Sequence, residues 1–428
     1  MTTLNITILR FAHAFDSGGG TETYIEDLDR MLLANNSWTI IRMYLTYDKN
    51  TKSQQHEIIG KGNLIKVPLY AENPDKLELM NIESKYDVLK NRLKNLFRDQ
   101  IIYNPLLYSV FFQSIIQKRP IPKRINEALN AKELATELMS EHKIDLVVMH
   151  YASGSDSAAV IEAAIQRDIP YVFINHFSND CLNSVSVREQ TKKAAGIGGV
   201  SKVGVPKRLR NTFYNISDGI DINIFKNTSS KPNNDKKDTP IILLPARITP
   251  SKGQHDLIRV CANLRNEGVR CQIALAGRAD SESYIKKLKN MANKLGVGQD
   301  VLFLGLLSSD QLREWYDKSS IMAFPTYHNE GLGRVLIEAQ AMKVPPVSYI
   351  IGGTPEAIIH GKTGFLVKKG DISDFAARLK ELLNDANKRR HMGEAGREFV
   401  VRQFSLQALA IRHEKFYLKA ISKVSRKF

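Results

Sequence analysis

The sequence is poor in cysteine and has no long apolar segment. Its 428 residues include three cysteines, Cys181, Cys261 and Cys271, and none of them belongs to a CxxC pair. An odd number of cysteines is a poor basis for a disulfide framework and favours a reducing compartment. No window of about 20 residues is continuously apolar, so no membrane-spanning helix is predicted. The opening run MTTLNITILRFAHAF, interrupted by Arg10, predicts a first strand rather than a signal peptide.

Acidic residues are outnumbered by basic ones. The chain has 45 Asp and Glu against 61 Lys and Arg, which gives a formal net charge of +16. Such a charge favours an anionic partner: nucleic acid, an anionic membrane face or a phosphorylated substrate. The sequence contains no helix-turn-helix signal, zinc-ligand spacing or RNP-type motif, so a nucleic-acid partner is not expected.

Short apolar runs alternate with helical stretches along the chain, a pattern that predicts an α/β fold with parallel sheets. The alternation occurs twice and is interrupted by the polar segment KNTSSKPNNDKKDTP at 226–240, which predicts a linker. We therefore expect two Rossmann-like domains facing each other across a cleft. Their predicted bounds are 1–225 for an acceptor-binding domain, 241–398 for a nucleotide-sugar-binding domain, and 399–428 for a basic C-terminal helix that returns to the first domain.

The stretch HNEGLGRVLIEAQAMKVPP, residues 328–346, carries two glutamates, Glu330 and Glu338, separated by seven residues. It follows a predicted strand, and ligands of doubly wound sheets bind where strands end and helices begin. Glycines allow a loop backbone to approach a ligand, and a helix N-terminus favours polar oxygens and anions. The two carboxylates, at most roughly 12 Å apart along a helix, could hold different parts of one extended ligand. The alternative is an exposed loop glutamate and a helix-surface glutamate.

Further segments occur in an order typical of one family. They are GGGTETYIEDL, INHFSND, VSKVGVPKRL, DGIDINIF, LLPARITPSKGQHDLI, IIGGTPEAIIHGKTGFLV and QFSLQALAIRHEKFYLKA. Together with the E-x7-E spacing, they resemble the retaining glycosyltransferases of family 4, which have the GT-B fold. The resemblance covers nearly the whole chain. Departures from the family pattern are Lys343, where glycine is usual, Pro346, and Asp218-Gly219 at the crossover. A left-handed conformation at Lys343 would cost about 1 kcal/mol without glycine.

The resemblance implies a role for each matching residue. Negative charge grows on the diphosphate as the sugar leaves, and something positive must stabilise it. Glu338 is expected to accept hydrogen bonds from the ribose, and Glu330 and His176 to lie near the donor sugar. The residues expected in the reaction are Glu330, His176, Arg247 and Lys252. The residues expected to bind the nucleotide sugar are Gly19, Gly20, Arg247, Lys252, Gly331, Leu332, Gly333 and Glu338.

No cofactor and no metal are expected to be required. The Asp-x-Asp pair that could suggest a metal site, Asp27 and Asp29, lies in a predicted helix, where side chains two positions apart diverge, and we interpret it as a solvated face. His150 is expected to be structural or to face the acceptor. His13, Asp16 and Ser17 belong either to an acceptor-contacting loop or to an ordinary turn.

A basic region flanks an aromatic stretch in the first half of the chain. Residues 85–124 contain nine basic and two acidic side chains around IIYNPLLYSVFFQSII at 101–116. Such a segment either lies in a membrane interface or is a helix buried against the first domain. The hypothesis is that it docks on the anionic inner leaflet. The expected location is thus cytoplasmic or peripheral on the inner face of the plasma membrane.

These observations predict a retaining, metal-independent glycosyltransferase. Its donor would be a nucleotide-diphosphate sugar, with UDP-sugars favoured and GDP-mannose next, and its acceptor a glycan or a lipid-linked glycan. The family analogy suggests bacterial surface polysaccharide synthesis, such as O-antigen, capsule or exopolysaccharide. Two alternatives stay open: a non-catalytic scaffold of a polysaccharide assembly complex, and a GT-B nucleotide-sugar epimerase.

Overall fold

The computed structural model describes residues 5–12, 20–46, 54–70, 121–150, 155–176, 179–183, 185–226 and 239–425. The chain divides into two compact units. The first consists of Met1–Ile216 together with Ala410–Phe428, and the second of Ser217–Leu409. Most of the predicted linker, the whole aromatic stretch 101–116, Gly19 and the loop residues His13, Asp16 and Ser17 lie outside the described residues.

The described part of the first unit has one sheet. Its strands are β1 Thr7–Ala12, β2 Thr39–Thr46, β3 Gln55–Ile59, β4 Gly62–Tyr70, β5 Leu146–His150, β6 Tyr171–Asn175, β7 Gly196–Gly199 and β8 Phe213–Asn215. Their order across the sheet is β3-β4-β2-β1-β5-β6-β7-β8. The pairings are parallel except between β3 and β4. Strands β5 and β6 are buried along their whole length, as expected for apolar runs covered on both faces of a parallel sheet.

Helices cover this sheet. They are α1 Gly20–Asn35, α2 Ile121–Glu141, α3 Ser155–Gln166 and α4 Val185–Thr191. The core consists of aliphatic and aromatic side chains from the strands together with alanines of α2 and α3. The pattern of SDSAAVIEAAIQ predicts a helix, and the segment forms α3. The basic stretch after GIGGVS also predicts a helix, and this prediction is wrong: β7 is followed by a short 3₁₀ turn, Lys207–Leu209, and then by β8.

The second unit has a fully parallel sheet. Its strands are β9 Ile241–Pro245, β10 Gln272–Ala276, β11 Val301–Gly305, β12 Ile321–Phe324, β13 Pro346–Tyr349 and β14 Phe365–Val367. The order β11-β10-β9-β12-β13-β14 is the 3-2-1-4-5-6 order of the Rossmann fold. The chain reverses its direction of travel across the sheet between β9 and β12. That switch point is where such sheets bind ligands.

The helices of the second unit are α5 Gln254–Asn266, α6 Glu282–Lys294, α7 Ser309–Lys318, α8 Arg334–Ala341, α9 Thr354–Ala357, α10 Ile372–Asn384 and α11 Ala386–Phe404. The last helix of the chain is α12 Leu406–Ser425. Local sequence explains several helix starts: Ser308 and Gln311 form a capping box on α7, and Asp371 and Asp385 cap α10 and α11. Lys343, just after α8, has φ 61°, so the left-handed conformation considered for this position is present without glycine.

Two cysteines of the second unit, Cys261 and Cys271, are buried free thiols. In the part of the chain that the structure describes, no helix has both the length and the apolar character needed to cross a membrane.

Candidate functional site

The segments that follow β9 and β12 lie against each other at the switch point of the second sheet. The backbone N–H of Tyr327, after β12, donates a hydrogen bond of 2.7 Å to the carbonyl of Ser251, after β9. Gly253 makes this approach possible: its φ is 73°, and a Cβ at this position would lie 1.9 Å from the carbonyl oxygen of Pro325. Any other residue would separate the two strand ends.

This approach places Lys252 beside Glu330. The Lys252 ammonium donates a short hydrogen bond to Oε1 of Glu330, and the side chains are only 12% and 15% exposed. Thr326 Oγ1 lies 3.2 Å from the same carboxylate oxygen, and the Lys252 ammonium stands 5.7 Å from the Phe324 ring centroid. A largely buried ion pair with an additional hydroxyl partner keeps both charged groups in fixed positions. The structure thus brings together two of the predicted site residues.

The backbone of Glu330 is held by a loop to which the sequence analysis assigned no role. The N–H of Gly353 donates to the carbonyl of Glu330 at 3.0 Å. Gly352 has φ 53°, and a Cβ there would lie 2.2 Å from that same carbonyl oxygen. This contact explains the glycine pair of IIGGTPE and makes Gly352 and Gly353 positioning residues for Glu330. The signal was available, since two adjacent glycines after a strand indicate a close backbone approach.

Gly331, Leu332 and Gly333 join Glu330 to α8. Gly333 is the N-cap of α8 with φ 86°, and Leu332 is buried. The predicted placement of these residues between a strand and a helix N-terminus is confirmed, whereas their contact with a nucleotide sugar stays a prediction.

Glu338 is buried in α8, and its hydrogen-bond partners differ from those of Glu330. Its two oxygens lie 3.2 Å from the Tyr316 hydroxyl and 3.2 Å from Nε of Arg334, one turn earlier. Burial raises the pKa of Glu338, against the opposing effects of Arg334 and Tyr316. Burial also raises the pKa of Tyr316, with Glu338 contributing in the same direction. An exposed position on the helix surface, the alternative weighed for this residue, is therefore wrong.

Arg247 differs from the other basic site residue. It follows β9, its side chain is 61% exposed, and its nearest acidic group is Asp280, with Nη1 3.7 Å from Oδ2. Its backbone is fixed, because the carbonyl accepts a hydrogen bond of 2.8 Å from Gln254. An exposed guanidinium on an anchored backbone is available to an anionic ligand at the same edge of the sheet as Lys252.

A buried carboxylate that the sequence analysis did not single out supports the loop after β12. Asp256 of α5 is 1% exposed and accepts hydrogen bonds from the hydroxyls of Tyr327, at 2.6 Å, and Tyr349, at 3.1 Å. Tyr327 belongs to the loop that carries Glu330. Asp256 therefore fixes the position of that loop through Tyr327. No motif in the sequence indicated this role of Asp256.

In the first unit, His176 follows β6 and lies edge to edge with His150, which is at the end of β5. Nδ1 of His150 lies 2.8 Å from Nε2 of His176, and the rings are 5.1 Å apart and nearly parallel. Burial, followed by the charge of Arg10, lowers the pKa of His176 to about 3. Burial therefore favours the neutral form of His176. Gly20 is the first residue of α1, whereas Gly19 lies outside the described residues.

The interpretation of Asp27 and Asp29 as a solvated face is wrong for Asp29. Asp29 is 0% exposed and lies 2.8 Å from Nη2 of Arg10 and 2.6 Å from Nη2 of Arg42. Both arginines point from neighbouring strands, β1 and β2, and each is itself buried. Asp29 is thus the counter-ion of two buried arginines. Among the described residues, no group of three or more His, Cys, Asp or Glu side chains could hold a metal ion, and the metal-independent reaction stays a prediction.

Comparison with known proteins places the second unit in a family. The model of the family described as "Glycosyl transferases group 1" matches residues 225–399, a segment that contains β9, β12 and every predicted site residue of the second unit. Residues 225–399 are a group 1 glycosyl transferase domain.

Curated relatives match less than half of this chain. The D-inositol 3-phosphate glycosyltransferase of Corynebacterium aurimucosum is 36% identical over 187 residues, or 43% of this chain and 44% of the relative. The capsular polysaccharide biosynthesis glycosyltransferase CapM of Staphylococcus aureus is 30% identical over 180 residues, or 42% of this chain and 46% of the relative. The matched segments thus span about half the length of these relatives.

Solved structures of low sequence identity share the fold over nearly the whole chain. Sucrose-phosphate synthase from Thermosynechococcus elongatus has a TM-score of 0.69 at 18% identity and covers 98% of this chain and 100% of its own. Anabaena Alr3699/HepE in complex with UDP and glucose has a TM-score of 0.65 at 17% identity and covers 96% and 99%. These likenesses concern the fold alone. The predicted class, α/β with two Rossmann-like domains of the GT-B type, is confirmed.

Proposed function

We propose that this protein transfers a glycosyl unit from a nucleotide-diphosphate sugar to a glycan or lipid-linked acceptor, with retention of the anomeric configuration. The observation that carries the proposal is the Lys252–Glu330 pair at the β9/β12 switch point of a group 1 glycosyl transferase domain. Ligands of Rossmann-type sheets bind at this position. A cation and a carboxylate fixed there suit a donor with a diphosphate in the middle and hydroxyls at both ends.

Departure of the diphosphate from the sugar requires positive charge near the diphosphate oxygens. The bond between the anomeric carbon and the diphosphate oxygen breaks, a bond between that carbon and an acceptor hydroxyl oxygen forms, and the hydroxyl proton leaves with the nucleoside diphosphate. The charge that develops on the diphosphate oxygen is stabilised by fixed cations. Lys252 supplies an ammonium group that is held in place by Glu330. Arg247 supplies an exposed planar guanidinium, whose N–H groups are suited to binding phosphate. Glu338, deeper in α8, would accept from the ribose. No resident cofactor or metal is required in this scheme.

The comparisons support a nucleotide-diphosphate sugar as the class of donor but do not identify its nucleotide base. One solved neighbour is in complex with UDP and glucose, and relatives from Mycobacterium tuberculosis are described as GDP-mannose-dependent. We favour a UDP-sugar first and GDP-mannose second. The capsular polysaccharide relative supports a role in bacterial surface polysaccharide synthesis, such as capsule, exopolysaccharide or O-antigen. The proposed location is cytoplasmic or peripheral on the inner membrane face, where a lipid-linked acceptor is found.

The first test is thermal stabilisation by UDP, GDP, ADP, CMP and their sugars, each with EDTA and with Mg²⁺. A ligand at 100 times its dissociation constant should add roughly 2.7 kcal/mol to the free energy of unfolding. We expect one diphosphate to stabilise the protein in EDTA, and Lys252→Met to reduce the shift. Arg265→Ala is the control, since Arg265 is half-exposed at the far end of α5. Absence of a shift with every nucleotide would favour the scaffold alternative.

A turnover assay with the stabilising donor separates the remaining alternatives. Transfer predicts release of the nucleoside diphosphate that depends on an acceptor, and NMR of the product should show the anomeric configuration of the donor. An epimerase would instead convert the sugar without any acceptor. The membrane contact is tested by flotation: binding of the chain to anionic but not neutral liposomes, lost on deletion of 85–120, supports it.

A further inference from the structure

Arg334 occupies a position at which the stability of a helix does not favour a cation. It is the first residue of α8, directly after the left-handed Gly333. The N-terminus of a helix carries a partial positive charge, so a cation there is unfavourable. The order of its ion pair is also the weaker one, since a basic residue four positions before an acidic one stabilises a helix less than the reverse. The stability of α8 alone therefore does not explain this arginine.

The side chain of Arg334 lies against the buried carboxylate of Glu338. Nε is 3.2 Å from Oε1, and the two side chains are 23% and 10% exposed. The Tyr316 hydroxyl contacts the other oxygen, Oε2, over 3.2 Å. An ionised carboxylate has about four lone-pair sites, two on each oxygen. Arg334 and Tyr316 therefore leave about one site on each oxygen, which matches the two hydroxyls of a ribose.

The groups around Glu338 have opposite effects on its ionisation. Burial raises the pKa of Glu338, and the nearby carboxyl of Asp218 acts in the same direction. Arg334 and the hydrogen bond from Tyr316 lower it. Burial also raises the pKa of Asp218, again against the charge of Arg334. In the part of the chain that the structure describes, Arg334 is thus the cation that opposes protonation of both carboxyl groups.

We propose that Arg334 is a positioning residue that keeps Glu338 ionised, so that both carboxylate oxygens accept hydrogen bonds from the ribose of the nucleotide donor. A protonated Glu338 would direct an O–H at one of the two sites that the ribose hydroxyls require. Arg334 acts through Glu338 and need not touch the nucleotide itself. This role in binding rests on the proposed function, whereas the charge of Glu338 in the ligand-free protein does not.

The charge of Glu338 is measured directly in the ligand-free protein. Carboxyl ¹³C chemical shifts of protein labelled with ¹³C-glutamate follow ionisation, and the Glu338 signal is the one that is missing from E338Q. We expect Glu338 to be ionised at pH 7 in the wild-type protein, and its titration midpoint to rise by about 1–3 pH units in Arg334→Met. A protonated Glu338 at pH 7 in the wild-type protein, or an unchanged midpoint in R334M, would overturn the proposal.

Two further variants separate the charge of Arg334 from the space that it fills. Arg334→Lys keeps a cation on a flexible chain, so the midpoint of Glu338 should stay close to that of the wild-type protein. Arg378→Met is the matched control, because Arg378 pairs with Asp374 over 3.1 Å at the same i, i+4 spacing on α10. It should leave the midpoint unchanged. An equal rise in R334K and R334M would attribute the effect to packing and contradict the proposed role.

Calorimetry with the nucleoside diphosphate that stabilises the protein in the thermal panel adds a functional readout. We expect R334M to bind it about tenfold more weakly than the wild-type protein at pH 6, as for a midpoint raised by one pH unit. The difference should disappear toward pH 9, where Glu338 is ionised in both proteins. A loss of affinity that is the same at every pH would contradict the proposal. If the wild-type protein binds no nucleoside diphosphate, the proposed function fails, while the NMR titration still decides the charge of Glu338.

Discussion

The ammonium of Lys252 donates a hydrogen bond to the carboxylate of Glu330, although 78 positions separate the two residues in the sequence. The contact depends on two backbone approaches, one at Gly253 against Pro325 and the other at Gly352 against Glu330 itself. The cation expected to stabilise the leaving diphosphate is therefore held by the carboxylate expected near the sugar. Both groups are fixed before any ligand binds.

We expect Lys252 and Glu330 to be energetically coupled. Lys252→Met leaves a largely buried carboxylate unpaired and Glu330→Gln leaves an unpaired ammonium, so each should lower the stability of the second unit by roughly 1–3 kcal/mol. The double variant should lose less than the sum of the two, by at least about 0.5 kcal/mol. The measurement is urea unfolding followed by Trp315 in a Trp38→Phe background. Additive losses would mean that the pair does not stabilise the protein.

The position of this pair was predictable, but its contact was not. The strand pattern and the topological rule for Rossmann sheets located both segments at strand ends, as the structure confirms. Which side chains meet depends on loop conformations, here on the positive φ of Gly253 and Gly352. Spacing along the sequence does not contain this information.

Asp29 shows a different limit of sequence reasoning. The argument that side chains two positions apart diverge on a helix was correct, since Asp27 is half-buried and Asp29 fully buried. It failed because the two partners of Asp29, Arg10 in β1 and Arg42 in β2, lie outside the helix, and β2 was not predicted. The arginine inside TIIRMYLT breaks the apolar run by which buried strands are identified.

The two aspartates provide a matched test. Asp29→Asn leaves two buried arginines without a counter-ion and should destabilise the first unit by about 3–5 kcal/mol. Asp27→Asn, two positions earlier on the same helix, should cost less than about 1 kcal/mol. Urea unfolding followed by Trp38 in a Trp315→Phe background reports on the first unit. Similar losses in the two variants would contradict the role assigned to Asp29.

The partners of Glu338 predict that its effects on stability and on binding are separable. Glu338→Ala removes one acceptor each from the Tyr316 hydroxyl and Nε of Arg334, and should cost about 1–3 kcal/mol. Glu338→Gln keeps an acceptor oxygen for Tyr316 and should cost less. Both should weaken binding of the nucleotide found in the thermal panel, as measured by calorimetry. Unchanged affinity in both variants would remove Glu338 from the donor site.

Arg247 should contribute to turnover and not to stability. Its exposed side chain forms only a 3.7 Å ion pair with Asp280, and such surface pairs contribute at most about 1 kcal/mol. Since the charge it meets develops in the transition state, Arg247→Ala should lower kcat more than it raises KM. Arg265→Ala, at the opposite end of α5, should change neither. An increase in KM at constant kcat would indicate that Arg247 stabilises the bound ground state and the transition state equally.

The buried imidazoles predict that the first unit loses stability in acid before its carboxylates titrate. The pKa of His176 is lowered to about 3, and burial also lowers those of His150 and His413. Below about pH 6.5 the unfolded chain binds protons that the folded unit does not, so the free energy of unfolding falls as the pH falls. Each histidine contributes at most about 1.4 kcal/mol per pH unit, until its folded pKa is reached.

Two carboxyl groups of the second unit have the opposite effect on the pH dependence of stability. The two units must therefore be measured separately. Burial raises the pKa of Glu338 and of Asp218, so their contribution to stability is present in acid and is lost as the pH rises. Trp38 fluorescence in the Trp315→Phe background follows the first unit. Between pH 7 and pH 5 its urea midpoint should fall, and His176→Asn should reduce that fall, whereas substitution of the exposed His56 should not. A midpoint independent of pH in this range would mean that the folded unit and the unfolded chain take up protons equally, contrary to the lowered pKa of the buried histidines.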